Sequence, residues 1–315
     1  MNLLMISGKG ASETAQGKRN AFYNTLEELH KYFNRIDVVT SAKRQAQSEK
    51  LFGNVFFHSK VPHVKFDVMT VHEYAPFRNG RLANKILKTE KIPVLFEIMH
   101  IPGVPRAGSW REYAAKLLMR YYIKHDTRHA TAIRVINQQI GDWLVAAGIS
   151  PAKIKLIPAM YIDLNIFKPM DLEKKYDLIF VGRRAKNKGI GLFTKAIDKL
   201  QITNYKIVDG WAKDASEVAH LINQSRILVM PSYNEGGPRV VLEALACGVP
   251  VLATPVGIVP EILPPEWIID WSVEDIIRKA KKILSGNFVF PRINMQQFEK
   301  KSAIKYYADA IRTLI

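Results

Sequence analysis

Glu235 and Glu243 stand eight positions apart within residues 231–263, PSYNEGGPRVVLEALACGVPVLATPVGIVPEIL. The apolar run at 227–230 reads as a buried parallel strand. Arg239–Ala246 reads as a helix, stopped by Gly248 and Pro250. Glu235 is therefore expected on a loop at the carboxyl end of a strand, the edge where open α/β sheets bind ligands. The helix N-terminus that follows offers N–H groups and a partial positive charge, which suit a phosphate. Gly236 and Gly237 allow close backbone approach to such a ligand. Pro238 has no N–H to give, which fits a first helical position. Carboxylates at 235 and 243 can accept hydrogen bonds from the vicinal hydroxyls of a sugar or a ribose. Upstream, Arg183 and Lys188 lie in GRRAKNKG, just after an expected strand at 176–181. Two cations at a strand's end can neutralise a diphosphate. His100 closes another expected strand, 94–99, and His72 is a lesser candidate at the end of 66–71. The eight histidines form no H-E-x-x-H or His/Cys cluster, so no protein-bound metal is expected.

Glu235-x7-Glu243, together with its glycines, EALACGVPV and the closing Gly257 and Glu261, resembles the second domain of retaining GT-B glycosyltransferases of the family 4, group 1 type. That family carries G-R-x4-K-G after the first strand of this domain, and Arg183 and Lys188 match it position by position. The resemblance implies an α/β fold, GT-B, with two doubly wound Rossmann-like domains facing across a cleft. The expected division is 1–165 for an acceptor-side domain, 166–293 for a nucleotide-sugar-binding domain, and 294–315 for a terminal helix crossing back. The implied reaction moves a sugar from a UDP- or GDP-linked donor to a hydroxyl of a glycan, a lipid-linked acceptor or a small molecule. It implies retention of configuration and no cofactor or metal. Glu235 would hold donor-sugar hydroxyls and Glu243 the ribose. Arg183, Lys188 and the N–H groups of Gly236 and Gly237 would hold the diphosphate, and His100 would contact the donor sugar. The leaving phosphate would take the acceptor proton. Gly8 and Gly17 are the matches to the family's acceptor-facing loop, although its double glycine is absent. Ala159 and Met160 stand where the family usually has Asn-Gly after Pro158. Two alternatives stay open: a sugar-nucleotide epimerase of the same fold, and a non-catalytic sugar-nucleotide-binding protein.

At 315 residues the chain is long enough for two domains, and 48% hydrophobic content is that of a globular protein. No apolar run approaches the ~18 residues of a spanning helix. MNLLMIS lacks a basic n-region, so no signal peptide is expected. The single Cys247 excludes an intramolecular disulfide and agrees with a cytoplasmic location, as a small buried apolar group. The net charge of +17 is uneven: residues 1–170 carry 25 Lys and Arg against 13 Asp and Glu. A basic half points to an anionic partner, either a phospholipid surface on the inner face of the membrane or a lipid-phosphate acceptor. No nucleic-acid-binding signature accompanies it, so no nucleic acid is expected.

The elements that must position these residues follow from periodicity. Strands are expected at 2–7, 36–40, 66–71, 94–99, 132–136 and 154–157, with at most a short strand within 54–65. Gly8, Lys9 and Gly10 read as a loop, and no G-x4-G-K-[ST] makes it a Walker A motif. Helices are expected at 17–33, 82–87, 109–125 and 140–147, then a linker at 158–169. Gly210 and Trp211 follow a strand at 206–209. The 109–125 helix interleaves Trp110, Tyr113, Leu117 and Tyr121 with Arg111, Lys116, Arg120 and Lys124. That is the composition of an interfacial helix for an anionic membrane. The favoured expectation instead packs its apolar stripe on the sheet and leaves the basic face in water.

Overall fold

The computed structural model describes residues 1–40, 48–72, 78–209 and 214–315. The chain divides into two compact units. The first comprises Met1–His100, Leu117–Ala159 and Lys301–Ile315; the second comprises Ile101–Lys116 and Met160–Lys300. Gly210 and Trp211, and Glu73 after His72, lie outside the described residues.

In chain order the first part holds β1 (Asn2–Ser7), α1 (Lys9–Ala15), α2 (Ala21–Leu29), β2 (Arg35–Thr40), β3 (Ser48–Phe52), β4 (Val55–His58), β5 (Val68–His72), α3 (Arg78–Ile86) and β6 (Val94–Ile98). Then come α4 (Trp110–Asp126), β7 (Ala132–Val135), α5 (Gln138–Ala146) and β8 (Ile154–Leu156). The eight strands form one sheet in the order β3-β4-β2-β1-β5-β6-β7-β8. Every pairing is parallel except β3 with β4. Strands covered on both faces read as unbroken apolar runs. LLMI of β1 is such a run, with Leu3, Leu4 and Ile6 buried.

Two expectations in this unit are corrected. The helix expected at 17–33 is shorter: α2 covers Ala21–Leu29, a 3-10 turn follows at His30–Tyr32, and Gly17 stands before it in a turn at φ +92. The helical spacing of Phe22, Leu26 and Leu29 was real, but it does not extend back through Gly17. Asn20 starts the second helix, its side chain accepting from the N–H groups of Phe22 and Tyr23. Of the loop expected at Gly8, Lys9 and Gly10, Gly8 is the cap and Lys9 and Gly10 form the first turn of α1. The second correction concerns α4. It buries Met119, Ile123 and Asp126, and turns Trp110, Tyr113, Leu117 and Tyr121 to the outside. Three buried or half-buried positions per two turns sufficed on the inner side, so the aromatic stripe was left over.

The last helix, α11 (Lys300–Arg312), packs in the first unit. Its Tyr307 hydroxyl donates to the Glu97 carboxylate on β6. Glu97 also accepts from Arg134 Nη1 at 3.2 Å, and the Arg134 guanidinium lies 3.8 Å over the Tyr307 ring.

The second unit holds β9 (Tyr176–Val181), α6 (Ile190–Leu200), β10 (Tyr205–Val208), α7 (Ala215–Asn223), β11 (Ser225–Met230), α8 (Arg239–Ala246), β12 (Val251–Ala253), α9 (Val259–Ile262) and α10 (Val273–Leu284). Its strands form a parallel sheet, β10-β9-β11-β12. Phe193 of α6 and Ile276 and Ala280 of α10 cover one face; Val218 and Ile222 of α7 and Leu242 and Leu245 of α8 cover the other. The expected linker at 158–169 is a packed segment: Ile162 donates its N–H to the Phe298 carbonyl at 2.9 Å, and Phe167 is buried in the core. Ile101–Lys116 groups with this unit because Pro105 bridges Asn234, and because the Glu112 carboxylate accepts from Asn234 Nδ2 at 2.9 Å.

Candidate functional site

Three loops at the carboxyl ends of β9, β11 and β12 build the site in the second unit. After β9, the Gly182 N–H donates to the Val208 carbonyl, and residues Lys186–Lys188 make one 3-10 turn. Gly189 ends that turn at φ +70 and begins α6. A Cβ there would lie 1.9 Å from the Pro231 carbonyl oxygen, so only glycine permits this approach. The Tyr233 N–H donates to the Asn187 carbonyl at 2.8 Å. These two contacts lash the loop after β9 to the loop after β11, and they bring Lys188 against Glu235.

The Lys188 ammonium is ion-paired with Glu235 Oε1, and Ser232 Oγ donates to the same oxygen at 2.9 Å. Both charges are largely but not fully shielded, at 20% and 14% exposure, so a ligand can still reach them. The Ser232 carbonyl is itself held by Thr254 Oγ1 at 2.5 Å and by Trp271 Nε1 at 2.9 Å. The next residue but one, Asn234, is buried and gives its amide to the Arg106 carbonyl at 3.1 Å and to Glu112 Oε2. Glu112 Oε2 also accepts from the Gly108 N–H at 2.7 Å. Arg106 stacks over Tyr233 and Trp271, 5.6 and 5.2 Å from their centroids. Ser232, Asn234, Trp271, Arg106 and Glu112 are supports that sequence reasoning missed. Asn234 beside Glu235 was the one visible signal; its partner Glu112 lies on another element, and no short-range spacing reports it.

Gly236 and Gly237 lead into α8. Pro238 is the cap and not the first helical residue, a shift of one position from expectation, and it makes no side-chain cap bond. Gly257, at φ +58, would put a Cβ 2.5 Å from the Gly236 carbonyl oxygen, which gives the motif's closing glycine its physical reason. A Cβ on Gly237 would meet Met160 Sδ at 2.4 Å, so Met160 is seated against this loop. Glu243 lies further along α8, 3.7 Å from Arg239 Nη2. Burial pushes its pKa upward, and Arg239 pulls it back. Arg183 is exposed and has no ion-pair partner among the described residues. Cys247, at the end of α8, is buried, and burial pushes its thiol up to about 12, so it acts as an apolar group.

In the first unit His100 follows β6 and is half-buried. His72, at the end of β5, has its pKa pushed down by burial, with Glu97 raising and Arg134 lowering it. Gly8 caps α1, and its carbonyl accepts from Ser12. Gly17 is required by its φ alone, because a Cβ there would meet nothing within 4 Å. Among the described residues, no group of three or more His, Cys, Asp or Glu could hold a metal ion.

Two sheets of Rossmann type match the fold of GT-B glycosyltransferase structures. Residues 210–307 match the family model "Glycosyl transferases group 1". The chain is 25% identical over 202 residues to a component of the phosphatidylinositol N-acetylglucosaminyltransferase of Arabidopsis thaliana, covering 54% of this chain and 44% of that relative. The chain thus spans less than half the length of that relative. Among solved structures, sucrose-phosphate synthase from Thermosynechococcus elongatus aligns with a TM-score of 0.70 at 14% identity, covering 99% of this chain and 94% of that one. Anabaena HepE, crystallised with UDP-glucose, aligns at 0.65 and 13% identity, covering 100% and 97%.

Replacing Gly189 tests how tightly the two loops are tied. Gly189→Ala is expected to lower stability by about 1–3 kcal/mol from the left-handed backbone alone, and further through overlap with the Pro231 carbonyl. Urea unfolding reads this directly. A wild-type midpoint would show that the loops have slack and that Lys188 is not held in place by this contact.

Proposed function

We propose that the protein transfers a glycosyl group from a UDP- or GDP-sugar to an acceptor hydroxyl, with retention of configuration. The observation that carries this reading is the Lys188–Glu235 pair, held on lashed loops beside the start of α8. Before the donor arrives, the two charges satisfy one another. A diphosphate competes for Lys188 and for the exposed Arg183, and it frees the Glu235 carboxylate to accept hydrogen bonds from sugar hydroxyls. The positive end of α8, which the chain reaches through Gly236 and Gly237, receives the phosphates. Glu243 takes the ribose hydroxyls. As the bond from the anomeric carbon to the diphosphate oxygen breaks, negative charge grows on the phosphates, where Arg183 and Lys188 stabilise it in a preorganised way. The acceptor oxygen bonds to the same face of the sugar, and its proton passes to the leaving phosphate. This reading assigns charge neutralisation to the two cations and gives no metal a role. The acceptor class we favour is lipid-linked, in keeping with a relative named for phosphatidylinositol and with the basic charge. The single buried Cys247 suits a reducing, cytoplasmic setting, at an anionic membrane surface.

The test is a thermal-shift panel of UDP, GDP, ADP and their sugars, run in EDTA and again with a divalent cation. A ligand that binds only the folded state raises the melting temperature. One nucleoside diphosphate is expected to do so, and Glu243→Ala is expected to erase the preference for it over its 2′-deoxy form. A panel with no shift, or a shift that appears only with a divalent cation, would remove the metal-independent donor site.

A further inference from the structure

Helix α4 presents an apolar face that no other described residue covers. Trp110 is 75% exposed, Tyr121 72%, Tyr113 58%, Leu118 56% and Leu117 55%. At 100° per residue these five share one side of the helix. Arg120 borders it on one edge and Arg111 on the other, Lys124 closes its C-terminal end, and all three are exposed. The helix's two carboxylates are turned away from it. Glu112 is occupied by Gly108 and Asn234, and Asp126 is buried beside His125. The outer face is therefore aromatic and aliphatic at its centre, cationic at its margins and free of acid.

We propose that this face of α4 docks flat on an anionic lipid surface. Trp and Tyr are suited to the headgroup boundary because each has an apolar body and a polar tip. Leu117 and Leu118 reach the acyl boundary between them, and the marginal cations meet lipid phosphates. A second copy of the chain is a poorer occupant. A symmetric pairing would set Arg111, Arg120 and Lys124 against themselves, and the net charge of +17 opposes it throughout. No described helix is long and apolar enough to cross a membrane. The inference deepens the location proposed above but needs no donor or acceptor for its test, so the two can fail separately.

The experiment is co-sedimentation with vesicles of phosphatidylcholine alone and of phosphatidylcholine with 30% phosphatidylglycerol, at 20 and 500 mM NaCl. Binding is expected on the anionic vesicles at low salt, with strong loss at high salt and on the neutral vesicles. Arg111→Glu and Lys124→Glu should each lower partitioning about fivefold or more. Leu117→Ser combined with Tyr121→Ser should lower it about tenfold or more, with an unchanged melting temperature because both side chains are exposed. Anionic vesicles that leave the wild type in the supernatant at low salt would overturn the proposal. So would a serine variant that sediments like the wild type, since charge elsewhere would then suffice. A dimer in light scattering that the serine variant dissolves, without vesicle binding, would give the face to a second copy instead.

Discussion

Lys188→Ala is expected to slow donor turnover by about 100- to 1,000-fold, the cost of removing one preorganised donor from a charge-building transition state. The fold should survive. Glu235 keeps its bond from Ser232, and its carboxylate is partly open to water, so losing the pair costs about 1–3 kcal/mol of stability. The effect should fall on kcat/KM more than on the melting temperature, because the ammonium does most when the diphosphate departs. Lys188→Arg should recover part of the rate, since charge is restored but a planar guanidinium does not place it as the compact ammonium does. Glu235→Gln separates the two roles. It frees Lys188 for the diphosphate, so nucleoside-diphosphate affinity should hold or rise, while hydroxyl recognition and turnover fall. The readout is steady-state release of nucleoside diphosphate from the donor that the melting panel selects, beside circular-dichroism melts. Wild-type turnover in Lys188→Ala would end the assignment.

How much of this was legible in the sequence depends on the range of the interaction. The central elements of the second unit were clear because the strands are short apolar runs and α8 lies between Pro238 and Gly248; Tyr176–Val181 and Arg239–Ala246 stand as expected. Lys188 and Glu235 were visible as residues in loops after two strands, but their meeting was not. It depends on Gly189 passing under the Pro231 carbonyl, a tertiary fact that spacing cannot carry. The buried Asn234–Glu112–Gly108 set was invisible for the same reason. In the first unit, β3 and the break at Gly17 were missed. β3 is a short strand, SEKLF, with no alternating pattern, and the apolar spacing of α2 masked the turn at Gly17 that precedes it. The α4 error has a different cause. Its apolar residues satisfy helical periodicity on the exposed side, and periodicity alone does not say which face of a helix meets the sheet.

Arg134→Met should be the most destabilising change outside the site. Arg134 and Glu97 are 4% and 6% exposed, and the guanidinium also binds the carbonyls of Ile157 and Pro158 at 3.0 and 2.8 Å. Removing one partner of a buried pair strands the other charge, typically at about 3–5 kcal/mol. For a chain of this size that is a fall of about 10 °C in melting temperature. Tyr307 sits in the same network. Burial and the adjacent Glu97 hold its phenol well above the ordinary range, so it stays a donor to Glu97 and fastens α11 to β6. The cost is therefore one of uncompensated charge and should be relieved by neutralising the survivor. Glu97→Gln added to Arg134→Met keeps an acceptor for Tyr307 and removes the stranded carboxylate. The double variant should recover at least about 1 kcal/mol relative to the sum of the single changes. Urea denaturation of the four proteins completes the cycle. Strict additivity would show that Arg134 acts through its two carbonyl bonds and its packing, and that the pairing with Glu97 contributes little.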